Sequence, residues 1–304
     1  MPSGARTVKQ PDAGDNPPAG RRDVRSGALV PTRIVTSVDE RRPAILAVIR
    51  AARREISLSI FRGNDEAIFE ALADAHDRGV AINALVTARA KGGQKKLDKL
   101  WEVLQATGAS VASYSDPVVK YHAKYLIADD GPAVVGSCNF TRKCFSKTCD
   151  ALVVTHDPDV VSGLRQLMEA DRERRRAPET LTPQLIVGPE RARRQFTSII
   201  EGATKSIRII DPKLSDPDLL TLLNARRGDG IAVDVYASKR IGDLKSHGKI
   251  MLVDDRVAVV GSLALAALSL DFRREVAIIV DAPAAVADVQ RLFQSIGEQA
   301  IPAE

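Results

Sequence analysis

Apolar positions in the first half of the chain recur at two spacings. A helical spacing covers 39–54, 65–78 and 95–107. Alternating or continuously apolar runs, typical of strands, cover 55–62, 80–87 and 110–114. Gly79 and Gly108 follow two of the helical segments, where glycine is a frequent helix stop. The pattern therefore predicts helices and strands in alternation.

The second half repeats this series with fewer elements. Helical spacing covers 189–203 and 216–227, and strand patterns cover 206–211 and 231–238. Pro189 stands at or near the start of the first helix, and Gly228 or Gly230 ends the second. Such alternation predicts an α/β fold in which a largely parallel or mixed sheet is flanked by helices.

Two segments lack such periodicity and divide the chain. Residues 1–35 are rich in Pro, Gly, Arg and Asp, and are predicted to be a disordered basic tail. A charge run followed by Pro and Thr makes 171–184 the predicted linker, with its arginines at a solvated helix end. The predicted organisation is thus this tail, a first domain at 36–180 and a second at 181–304.

A set of polar residues occurs twice with the same spacing. The first copy contains His122, Lys124, Asp129, Ser137 and Asp150. The second copy contains His247, Lys249, Asp254, Ser262 and Glu275. Every member lies 125 positions from its counterpart, without a gap, and each serine follows a glycine. This agreement indicates an internal duplication whose copies each supply one histidine and one lysine.

Strand geometry predicts how the first residues of each copy are arranged. Residues i and i+2 of a strand share a face, so a strand over 121–129 would place His122 and Lys124 together. Lys120 in the first copy and Lys245 in the second are predicted to join the histidine face.

The remaining repeated residues are predicted to support the histidines. Asp150 and Glu275 each start a strand and are expected to hold a histidine Nδ1, which sets its tautomer. Asp129 and Asp254 are expected to hold strand ends or loops. The Gly-Ser pairs end apolar strands, where backbone and hydroxyl donors can turn toward a ligand.

Charge and hydropathy narrow the choice of partner and compartment. The net charge is +5, and much of it lies in residues 1–35, which leaves the body close to neutral. A near-neutral body weighs against a general nucleic-acid binder. No signal peptide and no apolar run of about 18 residues is seen, so a cytoplasmic protein is expected, with peripheral membrane contact left open. A monomer is compatible with these features.

The cysteines and the remaining histidines do not indicate a metal site. Cys138, Cys144 and Cys149 have a spacing that fits no zinc pattern. They are predicted to be buried thiols in a reducing compartment, with a redox effect at Cys138 as the alternative. His76 and His156 have no evident ligand set.

The duplicated residues resemble the pattern of the phospholipase D superfamily, which is HxK, four residues, D, six residues and GSxN. HAKYLIAD and GSCN fit it through Asn139, whereas HGKIMLVD and GSLA fit except at Ala264, where Asn is expected. The resemblance covers about 36–304. The motif pair is specific for the superfamily and says little about the substrate.

This resemblance implies a fold and a mechanism. The fold has two similar α/β halves about a pseudo-twofold axis, with the active site between them. No metal or cofactor is implied. His122, in the complete copy, would attack phosphorus and form a phosphohistidine, and His247 would serve as general acid and base, although the reverse assignment stays open. The phosphate oxygens would be held by a set of polar residues, namely Lys124, Lys249, Asn139, Ser137 and Ser262.

Several functions use this chemistry. The first interpretation is hydrolysis of a phospholipid head-group phosphodiester, with transfer to an alcohol left open. The alternative is a nuclease acting on DNA or RNA, in which the basic tail contacts the backbone. A phosphatidyltransferase that joins two phospholipids and a non-catalytic binding module are further interpretations.

Overall fold

The computed structural model describes residues 32–89 and 93–300. The strands of the first half are β1 Arg33–Val35, β2 Glu55–Ile60, β3 Ala81–Thr87, β4 Ser110–Tyr114, β5 Lys120–Tyr121, β6 Tyr125–Ala128, β7 Ala133–Gly136, β8 Thr148–Cys149 and β9 Leu152–Thr155. Its helices are α1 Val38–Ala51, α2 Glu66–Asp77, α3 Gln94–Ala106 and α4 Pro158–Arg172. The predicted helices and strands thus occur in the predicted order.

The second half follows the same plan. Its strands are β10 Leu185–Val187, β11 Ser206–Ile210, β12 Ala232–Tyr236, β13 Arg240–Ile241, β14 Leu244–Ser246, β15 Ile250–Val253, β16 Val257–Gly261, β17 Arg273–Arg274 and β18 Val276–Val280. Its helices are α5 Ala192–Glu201, α6 Pro217–Gly228, α7 Ala267–Phe272 and α8 Pro283–Ala300. α6 therefore includes Gly228, and it is Gly230 that adopts the left-handed conformation, with φ +87°.

Each half forms one mixed sheet, and the strand orders correspond. The first sheet runs β1-β9-β7-β6-β2-β3-β4, and the second runs β10-β18-β16-β15-β11-β12. β2, β3 and β4 are parallel, as are β11 and β12, and the other neighbours in both sheets are antiparallel. The α/β fold of two similar halves is therefore confirmed, and among the described residues the second half has no counterpart of α3 and β4.

The two sheets share one central core. Val135 of β7 and Val260 of β16 belong to the same buried cluster, together with residues of α4 and α8. The outer faces pack separately against α1, α2 and α3 in the first half and against α5, α6 and α7 in the second. Burial on both faces explains why the central strands are almost continuously apolar.

Two predicted boundaries are wrong by a few residues. β1 lies inside the predicted tail 1–35, where it pairs with β9 and buries Ile34 and Val35. The sequence pattern did not predict this strand because three residues are too few to show a period. Asp171 lies in α4 rather than in the linker and is buried against Arg274 of β17, with Asp171 Oδ1 2.8 Å from Arg274 Nε. Residues 1–31, and residues 91–92 of a predicted surface loop at 91–96, lie outside the described residues.

Asp129 and Asp254 hold the turns that lead into β2 and β11. The Asp129 carboxylate accepts the N–H groups of Arg53 and Arg54 at 2.8 and 2.7 Å, and the Asp254 carboxylate accepts that of Ser206 at 2.9 Å. Both aspartates have positive φ, 44° and 54°. Burial raises the pKa of Asp254, but the hydrogen bonds from neighbouring backbone N–H groups outweigh it and lower that pKa to about 2. Both carboxylates thus tie a turn to the start of the strand that follows it.

Asp254→Asn should lower the free energy of unfolding by about 1 kcal/mol at neutral pH, because a neutral amide oxygen accepts hydrogen bonds more weakly than a carboxylate. The loss is no larger because solvent screens the charge of this accessible carboxylate. Because folding lowers the pKa of Asp254, its contribution is present above about pH 4 and is lost as the pH falls toward 2. Thermal unfolding of both proteins across this range measures the difference. Asp243→Asn, at an exposed acid, is the matched control. A destabilisation that is equally large at pH 2 would contradict this assignment.

Candidate active site between the two halves

Each HxK segment lies in a gap between two strands. The prediction of one continuous strand over 121–129 is therefore wrong. β5 ends at Tyr121 and β6 begins at Tyr125, so His122 and Lys124 lie in the gap. The second copy repeats this, because β14 ends one residue before His247 and β15 begins after Lys249. The strand pattern failed here because the chain leaves one set of neighbouring strands and joins another at this point.

The strand that precedes each histidine pairs with the opposite half. β5 lies parallel to β17, with Lys120 opposite Arg273, and β14 lies parallel to β8, with Lys245 opposite Thr148. The His122 N–H also donates to the Arg274 carbonyl at 2.9 Å. The residue that follows β17 is Glu275, and the residue that follows β8 is Asp150. Each histidine is therefore brought beside the acid of the other half.

The resulting histidine–acid pairs are crossed. His122 Nδ1 is hydrogen-bonded to Glu275 Oε1, and His247 Nδ1 lies 2.9 Å from Asp150 Oδ1. Both acids are fully buried, while the His122 and His247 side chains are 19% and 30% exposed. A carboxylate on Nδ1 fixes the ring and directs Nε2 away as the reactive nitrogen. The expected acid–histidine contacts thus form, and the structure decides which acid serves which histidine.

Hydroxyl groups hold the two acids in place. Ser137 Oγ donates to Asp150 Oδ1 at 2.6 Å, and Thr148 Oγ1 donates to Asp150 Oδ2 at 2.5 Å. Ser269 Oγ is hydrogen-bonded to Glu275. Sequence reasoning missed Thr148 and Ser269, because neither has a hydroxyl residue at the repeated position 125 residues away.

The two repeated serines do not face an open cleft. Both Ser137 and Ser262 are buried, and Ser262 Oγ accepts the Val276 N–H at 3.1 Å. Ser137 orients Asp150, and Ser262 fixes the backbone next to Glu275. Both hydroxyls are engaged with neighbouring groups of the protein, so the contacts support the predicted orienting role rather than the predicted contact with phosphate.

The site lysines are buried beside the histidines. Lys124 Nζ lies 3.2 Å from His122 Nε2 and donates to the His122 carbonyl at 2.7 Å, while Lys249 Nζ donates to the His247 carbonyl. Burial lowers the pKa of Lys124 to about 7, against the attraction of Glu275 and with help from the charge of Lys249.

The neighbouring lysines at 120 and 245 lie outside this cluster. Lys120 lies in β5 and Lys245 lies in β14, the short strands that precede the histidines, and both side chains are exposed. The prediction that they join the histidine face is therefore wrong.

His122 is in its neutral form around neutral pH. Burial and the nearby Lys124 ammonium lower the pKa of His122 to about 3, and the opposing attraction of Glu275 is too weak to restore it. The ring of Phe61 lies edge-on at 4.4 Å between centroids and shields it further. Phe61 carried no sequence signal, since it is one apolar residue at the end of a strand. A neutral imidazole whose Nδ1 is held by a carboxylate carries its electron pair on Nε2, where a nucleophile requires it.

The copies differ where the motif asparagine is expected. Asn139 is half-buried, and within the described residues its Oδ1 is a buried atom without a hydrogen-bond partner. Ala264 is buried, and its N–H donates to Ser269 Oγ at 3.0 Å. Near Lys249 the second half has a buried carboxylate, Asp211, whose Oδ2 accepts the Leu265 N–H at 2.6 Å. The site is therefore symmetric in its histidines, lysines and acids and asymmetric around them.

Other residues singled out from the sequence are not members of the crossed histidine–acid pairs. His76 packs beneath Gly108. Cys138, Cys144 and Cys149 are all buried free thiols, as predicted.

Comparison with known proteins identifies the family. The chain matches the model of the family described as "Cardiolipin synthase, PLD-like domain" over residues 45–172 and 229–296, which is more than half of its length. These segments fall in the two halves of the repeat. The chain therefore belongs to this family of the phospholipase D superfamily, whose enzymes act on phosphodiesters. No curated protein matches it.

Solved structures share the fold at low sequence identity. The polyphosphate kinase from Porphyromonas gingivalis aligns with a TM-score of 0.70 and 18% identity over 88% of this chain and 47% of its own. The phosphatidylserine synthase of Haemophilus influenzae Rd KW20 aligns with a TM-score of 0.68 and 12% identity over 88% of this chain and 86% of its own. The chain thus spans about half of the kinase and most of the synthase.

The crossed pairing predicts which histidine each acid controls. Glu275→Gln should disturb the ring of His122, and Asp150→Asn should disturb that of His247, because an amide cannot replace the carboxylate on Nδ1. Histidine NMR spectra of the two variants measure this directly. Turnover should fall about 100- to 10,000-fold in each, as expected when the tautomer of a reacting histidine is lost. A Glu275→Gln protein that changes only the His247 signals would contradict the assignment.

The lowered pKa of Lys124 predicts an alkaline decline in activity. Lys124 is positively charged below about pH 7 and neutral above it, so its attraction for a phosphate anion is lost as the pH rises. The kcat/KM for a phosphodiester should then fall about tenfold per pH unit in that range. Lys245→Met, at an exposed lysine, should leave the profile unchanged. A flat profile from pH 7 to 9 would show that Lys124 keeps its charge.

Proposed function

We propose that the chain is a phospholipid phosphodiesterase that acts through a phosphohistidine on His122. The observation that carries this proposal is the pair of crossed histidine–carboxylate contacts at the boundary between the halves. Two oriented imidazoles, one from each half, supply a nucleophile and a separate proton donor to one phosphorus. The burial of Lys124 and Lys249 beside them adds positive charge where phosphate oxygens would lie.

The first step forms the intermediate. His122 Nε2 attacks phosphorus, an N–P bond forms, and the bond from phosphorus to the leaving oxygen breaks. The protonated His247 gives its Nε2 proton to that oxygen, so the leaving group departs as an alcohol. Asp150 stabilises the protonated ring and keeps its orientation.

The second step releases the product. His247 now takes a proton from water or from an acceptor alcohol, whose oxygen attacks phosphorus and breaks the N–P bond. His122 returns to the neutral form that its surroundings favour. The lysines stabilise charge on the non-bridging oxygens in both steps. Asn139 adds a donor on one side alone, because Ala264 stands at the equivalent position.

The family description and the name of one fold relative favour a phospholipid substrate. The family description refers to cardiolipin synthase, and the fold relative that is matched over 86% of its own length is a phosphatidylserine synthase. The near-neutral body of the chain also favours this substrate over nucleic acid. Within the described residues, no helix is long and apolar enough to cross a membrane.

Transfer to an alcohol is a second candidate outcome of the same intermediate. The family description and the name of the second solved structure both refer to a synthase, and in the proposed second step an alcohol can take the place of water. Hydrolysis and transfer then differ only in the acceptor that enters the site. Product analysis with glycerol or phosphatidylglycerol as acceptor distinguishes them.

The proposed roles are tested with bis(p-nitrophenyl) phosphate in EDTA. His247→Ala should release about one p-nitrophenolate per chain and then stop, since this leaving group needs little protonation but the second step lacks its base. The phosphoryl label should be found on His122. His122→Ala should show neither burst nor label, and His156→Ala, outside the motif, should behave as the unsubstituted protein.

The substrate is tested in the same buffer with vesicles of phosphatidylcholine or phosphatidylglycerol and with single-stranded DNA. Release of a head group from the vesicles, lost in His122→Ala, is expected. Cleavage of DNA with intact vesicles would replace the phospholipid proposal by the nuclease alternative. A label on His247 in the His122→Ala protein would reverse the roles of the histidines.

A further inference from the structure

Three unlike metal-ligating groups meet on one side of the proposed site. The Cys144 Sγ, a carboxylate oxygen of Asp150 and a ring nitrogen of His247 all lie within 4.8 Å of one another. The first two residues belong to the first half, and His247 belongs to the second. We propose that this cluster is an inhibitory binding site for a thiophilic divalent cation, for which Zn²⁺ is the probe.

The donor atoms and their separation suit such an ion. Sulfur, nitrogen and oxygen are the ligands of protein zinc sites, with bonds of about 2.0–2.3 Å, which places neighbouring donors about 3.5 Å apart. The three donors, all within 4.8 Å of one another, are close to that spacing. Ions that prefer oxygen ligands, such as Mg²⁺, are poorly matched by a thiol and an imidazole.

The charges balance when the ion binds. Asp150 contributes one negative charge, and Cys144 contributes a second when its thiol loses a proton to the solvent. Two negative charges compensate the dication, while neutral His247 binds through one nitrogen and carries its proton on the other. In the metal-free protein, burial and the nearby Asp150 raise the pKa of the Cys144 thiol, so metal binding must displace its proton.

The partly exposed His247 gives the ion access, and the number of protein ligands leaves a position for a fourth. Cys144 and Asp150 are buried, but the His247 side chain is 30% exposed, so the ion can enter on the histidine side. Three protein ligands leave one position of a tetrahedral ion for water or an anion.

The opposite half lacks this site, which provides a natural comparison. Ser269 stands 125 positions after Cys144 and is hydrogen-bonded to Glu275 beside His122. A neutral hydroxyl is a much weaker zinc ligand than a thiolate. The ion therefore selects the His247 side, where it takes a histidine nitrogen and the carboxylate that holds it. Binding does not depend on the proposed function, whereas inhibition rests on the role proposed there for His247.

Binding is tested without any activity measurement. Zn²⁺ titration against a chromophoric chelator should show one site in the unsubstituted chain and in Cys138→Ser, a matched buried cysteine outside the cluster. Cys144→Ser, which copies the residue present at 269, should bind about 100-fold more weakly. Co²⁺ should give a thiolate charge-transfer band that is absent in Cys144→Ser. Melting curves establish that each variant folds, and equal binding in folded Cys144→Ser overturns the site.

Inhibition is tested with bis(p-nitrophenyl) phosphate, with each protein compared to its own metal-free rate. Zn²⁺ should suppress turnover in the unsubstituted chain and in Cys138→Ser, EDTA should restore it, and Cys144→Ser should need about 100-fold more Zn²⁺. Tight binding without inhibition overturns the inhibitory role. Absence of turnover in EDTA, with Zn²⁺ binding intact, overturns the proposed function and leaves the metal site standing.

Discussion

The arrangement of the site depends on two short parallel ladders that cross between the halves. β5 pairs with β17 and β14 pairs with β8, so the residue after each strand meets a residue of the other half. A carboxylate as deeply buried as Glu275 or Asp150 is tolerated only when hydrogen bonds satisfy it. The imidazole across the boundary supplies one of them, so stability and orientation arise from the same contact.

The duplicated backbone supports unlike surroundings at its two copies. Ser269 is hydrogen-bonded to Glu275, whereas Cys144 stands at the equivalent position beside Asp150, which Thr148 holds instead. The backbone framework is set by repeated glycines, acids and apolar strands, so substitutions around it change the chemistry without changing the fold. This freedom permits the division of labour that we propose for two histidines at equivalent positions of the repeat.

The repeat made much of the fold and of the site predictable. Periodicity located the helices, because each turns one apolar face to a sheet, and the constant offset of 125 identified both histidines, lysines and acids. The prediction of one strand over 121–129 was wrong because an alternating pattern shows which residues share a face of the chain. It does not show which strand the chain pairs with. Phe61, Thr148 and Ser269 went unseen since each acts through a neighbour that is distant in sequence or unlike its counterpart.

The sequence by itself determined the two α/β halves, the residue types of the site and the family chemistry, because these follow from local periodicity and from repeated motifs. Tertiary structure alone decided that Glu275 serves His122, 153 positions away, and that Asp150 serves His247, 97 positions away. It also placed Cys144 beside that second pair. Such contacts depend on how the two halves pack around their shared core, and no spacing within one half encodes that packing.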